Sequence, residues 1–145
     1  MSWETEGDGP IWMPVLNAAE VKYGIPQNLL ARVAFQESSF RRSVIDGTTK
    51  SDAGAVGIMQ LLPQFFPDAG VDPAADIDTA ARYLANLQRV FQGDWQLALA
   101  AYNWGPSNVQ KCLSNQSTLS AMPTETQHYV TEICADVPVG GVLVT

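Results

Sequence analysis

The sequence predicts a mostly α-helical domain, and three observations carry that prediction. Apolar residues recur at helix-face spacing in two stretches, Leu29, Leu30, Val33 and Ala34 in the first and Ile77, Ala80, Ala81, Leu84, Leu87 and Phe91 in the second. A third stretch, Leu97-Ala98-Leu99-Ala100-Ala101-Tyr102, is apolar nearly all round, as a helix at the centre of a core should be. Residues that start and stop helices stand at the edges of these stretches.

The elements follow in chain order. Pro10 and Pro14 suit a first helical turn, and Tyr23-Gly24 reads as a helix end with glycine left-handed, so a helix is expected over residues 11–23. Pro26 is expected to open a second helix, over residues 26–39, with Glu37 in its last turn. Residues 41–64 change in texture: Asp46-Gly47, Asp52-Ala53-Gly54 and Gly57 are turn chemistry, so the segment reads as a long loop with room for a small β-hairpin, closing into a short helical stretch at residues 59–62. Asp76 or Asp78 is expected to cap the helix that carries the stripe from Ile77 to Phe91, and Asp94 the helix over residues 95–104. Pro106 restarts the chain as a helix through residue 113, a polar loop with Ser114-Asn115-Gln116-Ser117 follows, and Thr124 with Gln127 suggests a capping box for a last helix through residue 134. The tail, residues 137–145, mixes β-branched residues with Pro138 and Gly140-Gly141 and reads as irregular. No repeat, low-complexity tract or linker divides the chain, so a single domain over residues 1–145 is expected, with its core in residues 11–134.

Composition narrows the function. A chain of 145 residues, 46% hydrophobic and 16% charged, is long enough to bury a core and is not a disordered tail. No apolar run approaches the roughly 20 residues that cross a bilayer, so no membrane span is expected. The net charge is −7 and the cations stand singly except for Arg41-Arg42; without a basic stripe to follow phosphates, nucleic acid is not an expected partner. The first ten residues are acidic and lack both a basic and an apolar signal region, so no signal peptide is expected. Cys112 and Cys134 fit no zinc or redox spacing and are either two buried thiols or one disulfide. His128, the one histidine, has no metal-ligand cluster or nucleophile spaced around it and reads as a surface or edge residue. No cofactor and no metal are expected.

Glu37 stands apart, because it continues the apolar stripe of the second helix. Desolvation there disfavours the charged form and raises a carboxyl's pKa, which suits a general acid working near neutral pH. The plain alternative is a helix-end carboxylate that caps the helix or pairs with Arg41.

Four segments then carry a resemblance: Glu37-Ser38-Ser39-Phe40, Gly54-Ala55-Val56-Gly57-Ile58-Met59-Gln60-Leu61-Leu62-Pro63, Ala101-Tyr102-Asn103-Trp104-Gly105-Pro106 and Glu125-Thr126-Gln127-His128-Tyr129-Val130. In this order they resemble the signatures of the family 1 soluble lytic transglycosylases over residues 15–133. The resemblance implies a mostly α, goose-type-lysozyme-like domain with a small β-element or long loop beside the catalytic helix. It also implies cleavage of the β-1,4 bond between N-acetylmuramic acid and N-acetylglucosamine in peptidoglycan, with a 1,6-anhydromuramic end left behind. Glu37 would be the single general acid and base.

The resemblance extends to supporting residues. Ser51 would hydrogen-bond Glu37 or the substrate's acetamido group, unless it is only an exposed loop serine. Met59 would be an apolar platform for a sugar or core filler, and Gln60 a hydrogen-bonding amide. Tyr102 would orient the Glu37 carboxyl, Asn103 would fix backbone or substrate, Glu125 would contact substrate and Tyr129 would brace the site. Trp104 is either a sugar-stacking surface or a core aromatic. Two other readings stay open: a lysozyme-type hydrolase in which Glu125, Asp46 or Asp52 activates water, and a non-catalytic wall-binding module. The expected partner is the peptidoglycan glycan strand, bound by a monomer at the cell wall. The setting that fits best is a phage lysis enzyme or virion, with a secretion system as the alternative.

Overall fold

The computed structural model describes residues 2–115 and 118–144; Met1, Gln116 and Ser117 of the expected polar loop, and Thr145 of the tail, lie outside the described residues. The chain divides into two compact units, residues 1–82 and 83–145.

In the first unit, α1 (Gly9–Tyr23) ends as expected, with Gly24 left-handed at φ 68° and its N–H on the Glu20 carbonyl. The helix starts earlier than expected. Pro10 therefore occupies the first turn alone, and Pro14 lies inside the helix, where it supplies no N–H to the ladder. α2 (Leu29–Ser38) begins later than Pro26 because Asn28 sits at φ 70°, outside helical space, and the Pro26 carbonyl instead accepts the Leu29 N–H at 3.0 Å to close a turn. Leu29, Leu30, Val33 and Ala34 are buried, together with Arg32. α1 packs on α2, and a 3-10 turn at Trp3–Thr5 packs on both.

The expected long loop contains a four-residue helix, α3 (Arg42–Ile45), that its turn-rich sequence did not announce. Its β-element is a single antiparallel bridge, Val56 to Leu61, with N–H to O distances of 3.0 and 3.1 Å. Residues 59–62 are not helical. Gly57 at φ 86° and Gln60 at φ 51° fold residues 57–60 into the turn that the bridge closes. α4 (Pro73–Val90) starts ahead of both expected caps. Asp72 Oδ1 accepts the Ala74 N–H at 3.1 Å, Asp76 turns back to the Gly70 N–H, and Asp78 accepts from Tyr23 and Lys22.

In the second unit, α5 (Trp95–Trp104) is capped by Asp94, whose Oδ1 accepts the Leu97 N–H at 2.9 Å. Every residue from 96 to 101 is buried, as its all-round apolar sequence predicts, Gln96 included. α6 (Pro106–Ser114) and α7 (Thr124–Asp136) both pack on α5. The expected capping box does not form. Pro123 occupies the N-cap position, so Thr124 is already helical, and the Gln127 amide donates to the Met122 carbonyl at 2.8 Å. Cys112 and Cys134 are buried free thiols.

The tail is irregular but anchored. Gln96, 2% exposed, donates to the Val139 and Val144 carbonyls and accepts from Leu143 and Val144. The second oxygen of Asp94 takes the Val142 N–H at 2.9 Å.

Candidate active site

Glu37 lies in the last turn of α2, and it is half-buried where the apolar stripe behind it is fully buried. Its neighbour Ser38 is buried, donates to the Ala34 carbonyl at 2.7 Å and accepts the Phe40 N–H at 3.2 Å. The chain then leaves through two consecutive left-handed residues, Ser39 at φ 53° and Phe40 at φ 54°. Non-glycine residues rarely adopt that conformation, and such strain persists only where surroundings fix it.

The deeply buried acids of this unit are two others. The Glu20 carboxylate, 2% exposed, accepts from the Asn28 N–H at 2.9 Å, the Ala31 N–H at 3.0 Å and the Asn17 amide at 2.7 Å. It thereby satisfies the first turn of α2 in place of an N-cap side chain. Asp76, also buried, accepts from the Gly70 N–H at 3.0 Å; burial pushes its carboxyl up to about 6, with the Asp72 charge adding to the effect. Gly57 stands at φ 86°, where glycine alone is unstrained, and a Cβ there would also collide with Asp76 Oδ2.

Ser51 is exposed and its side chain closes a local turn, with Oγ accepting the Ala55 N–H at 2.9 Å and the Ser51 N–H donating to the Ala55 carbonyl at 3.0 Å. Gln60 is half-buried at the hairpin end and donates Nε2 to the Gly57 carbonyl at 2.9 Å, with its side-chain carbonyl oxygen on the other arm of the amide. Met59 is 0% exposed, which favours core filler among the two readings expected for it. Asp46 is a turn-closer, its carboxyl lowered by the Thr48 N–H and hydroxyl it accepts. Asp52 is exposed.

In the second unit, the half-buried Tyr102 ring lies 5.7 Å from the Tyr83 ring at 49°. Burial pushes the Tyr83 phenol up. Asn103 Oδ1 accepts from the buried Thr126 hydroxyl at 2.8 Å, which ties α5 to the first turn of α7. Tyr129 is buried on α7, Glu125 and His128 are exposed, and Trp104 is half-buried. Among the described residues, no cluster of His, Cys, Asp and Glu is arranged to hold a metal ion.

Sequence reasoning missed the buried Glu20, Gln96 and Thr126, and took Asp76 for a helix cap. Glu20 alone left a signal, since Leu16, Ala19 and Glu20 share a helix face as Leu30, Val33, Ala34 and Glu37 do.

The mostly helical fold matches that of the soluble lytic transglycosylases, which is lysozyme-like. The lytic transglycosylase Slt of Pseudomonas aeruginosa superposes with a TM-score of 0.69 at 24% identity over 85% of this chain and 22% of that one. The 70-kDa soluble lytic transglycosylase of Escherichia coli gives 0.66 at 25% identity over 85% and 23%. The transglycosylase SLT domain model matches residues 14–123, and the chain belongs to that family. By sequence it is similar to membrane-bound lytic murein transglycosylase D of Escherichia coli, 29% identical over 111 residues, and to membrane-bound lytic murein transglycosylase C of Serratia proteamaculans, 28% over 129. The matches cover 64% and 74% of this chain but only 25% and 35% of those proteins.

Proposed function

We propose that this chain is the catalytic domain of a peptidoglycan lytic transglycosylase, acting as a monomer on glycan strands, with Glu37 as its single acid and base. The observation that carries this reading is the family match over residues 14–123, which includes both the Glu37 segment and the hairpin with Gln60. The names of the relatives, murein transglycosylases, point to the same substrate.

The chemistry follows from one carboxyl. Protonated Glu37 gives its proton to the glycosidic oxygen as the bond to the muramic anomeric carbon breaks. The substrate's acetamido group stabilises the positive charge left on that carbon. The C6 hydroxyl then attacks it, Glu37 takes the hydroxyl proton, and the 1,6-anhydro ring closes with Glu37 again protonated. No water enters, so no second carboxylate is needed. A half-buried acid suits this cycle, because it must meet substrate yet hold a proton near neutral pH. The other carboxylates weighed for a hydrolase suit it less: Asp46 is engaged with Thr48 and held low, and Asp52 and Glu125 are exposed. Gln60 is the proposed amide for sugar recognition; Asn103, Glu125 and Tyr129 keep the supporting roles that the resemblance implies, as does Ser51, whose hydroxyl hydrogen is not used by the turn its oxygen closes. Action at the bacterial wall, with delivery by phage lysis machinery, a virion or a secretion system, belongs to the same proposal.

Mass spectrometry of fragments released from purified peptidoglycan tests it. Fragments one water lighter than hydrolysis products are expected, with the same anhydro ends still made by Asp46→Asn, Asp52→Asn and Glu125→Gln variants. Reducible ends, lost in one of those variants, would make the protein a hydrolase.

A further inference from the structure

The last turn of α2 is held from outside by the segment that precedes α1. Trp3 packs its ring 6.0 Å from Phe35 and 6.5 Å from Phe40, and those two rings lie 5.7 Å apart. The buried Arg32 guanidinium lies 5.1 Å from the Phe35 ring and 5.9 Å from that of Trp3. Five residues further on, the Asp8 N–H donates to the Phe40 carbonyl at 2.9 Å, while Arg42 reaches back to Asp8 with two bonds of 3.1 and 3.2 Å. Between them, a Cβ on Gly7 would collide with the same Phe40 carbonyl, so the backbones touch directly. These contacts converge on Phe35, Phe40 and Arg42, which bracket Glu37, and Phe40 is one of the two left-handed residues by which the chain leaves the helix. Residues 3–8 lie outside the stretch matched by the family model, residues 14–123.

We propose that residues 3–8 form a clamp that positions the Glu37 carboxyl by fixing the strained exit from α2, with Trp3 as its principal positioning residue. The inference rests on the assignment of Glu37 as the acid and base. An acid on a helix end keeps its aim only if that end does not fray, and a displacement near 1 Å can cost about 100-fold in rate. The geometry therefore assigns the clamp an effect on turnover more than on binding.

The test compares Trp3→Ala, Trp3→Phe and Asp8→Asn with the parent and with Val109→Ala, a core truncation on α6 that serves as a control for lost stability. The readouts are kcat and KM on glycan strands and amide hydrogen exchange along α2. For Trp3→Ala, kcat should fall about 10-fold or more with KM within about 2-fold. Exchange at Ser39 and Phe40 should quicken by a similar factor while Arg32 and Val33 stay protected. Trp3→Phe should restore most of the rate, and Asp8→Asn should give a smaller loss of the same kind. An unchanged kcat in Trp3→Ala, or a fall matched by Val109→Ala and by exchange along all of α2, overturns the clamp. Glu37→Gln run alongside separates the two claims: turnover by that variant overturns the assignment of Glu37 itself, whereas its inactivity beside an unimpaired Trp3→Ala overturns the clamp alone.

Discussion

At the start of α2 the Glu20 carboxylate is sealed in and accepts three hydrogen bonds, two of them from the backbone of α2's first turn. At the other end Glu37 is half-buried, at the point where the chain turns out through two left-handed residues. Both acids continue an apolar helix face, so the face alone does not distinguish them. What distinguishes them is access. An acid that must give and regain a proton on a substrate has to reach it, whereas one that organises a helix start is best closed off from everything else. Burial of a carboxylate is therefore a weak sign of catalysis when its lone pairs are already engaged by the backbone.

The largest expected effect on stability comes from breaking the closed end. Glu20→Ala leaves the donors of Asn17, Asn28 and Ala31 without their acceptor; at about 1–3 kcal/mol for a buried unpaired donor, a loss of roughly 3 kcal/mol is expected, partly relieved by water. Thermal unfolding should show a drop on the order of 10 °C. A change under about 2 °C would mean that Glu20 does not hold the start of α2.

Asp76 is an intermediate case: it is buried like Glu20 but accepts from a single backbone N–H, that of Gly70, and burial raises its pKa. Between about pH 4, where an unfolded aspartate ionises, and about 6, where the folded one does, the native state holds the extra proton. The contribution of Asp76 to stability is thus lost as pH rises through that window. The melting temperature of Asp76→Asn should gain on the parent's from pH 4 to 7, and parallel curves would contradict the raised pKa.

Gln60 extends the comparison to backbone strain in the hairpin turn. At φ 51° a side chain costs about 1 kcal/mol that glycine avoids, while Gln60→Gly also gives up the bond to Gly57. Stability should stay within about 1 kcal/mol of the parent while turnover falls about 10-fold, since the amide proposed to meet sugar is gone. Unchanged turnover would remove Gln60 from the site.

The parts that sequence made legible are those decided locally. Asp94 and the apolar run behind it specify α5 without reference to anything distant, and Gly24 ends α1 in the same way. Where a side chain has more than one partner within reach, the reading fails. Asp76 looked like a cap but turns back to Gly70, and Thr124 with Gln127 looked like a capping box until Pro123 took the N-cap position. Residues 59–62 have helical composition, yet Gly57 and Gln60 at positive φ make them a hairpin turn, which also drives Met59 into the core. Glu20 carried the same periodic signal as Glu37, but its two backbone donors sit 8 and 11 residues away across a loop, beyond any spacing rule. Glu37 was singled out because its motif accompanies it; that it is only half-buried was not legible.

The most direct test sets the two glutamates against each other. Glu37→Gln and Glu20→Gln should be assayed, at a temperature where both are folded, for release of 1,6-anhydro fragments from peptidoglycan, with thermal unfolding followed in parallel. Glu37→Gln should keep its melting temperature and lose about 100-fold or more of its activity, and Glu20→Gln should melt lower yet release the same fragments. Anhydro fragments released at the parent rate by Glu37→Gln, or abolished in folded Glu20→Gln alone, would contradict the account.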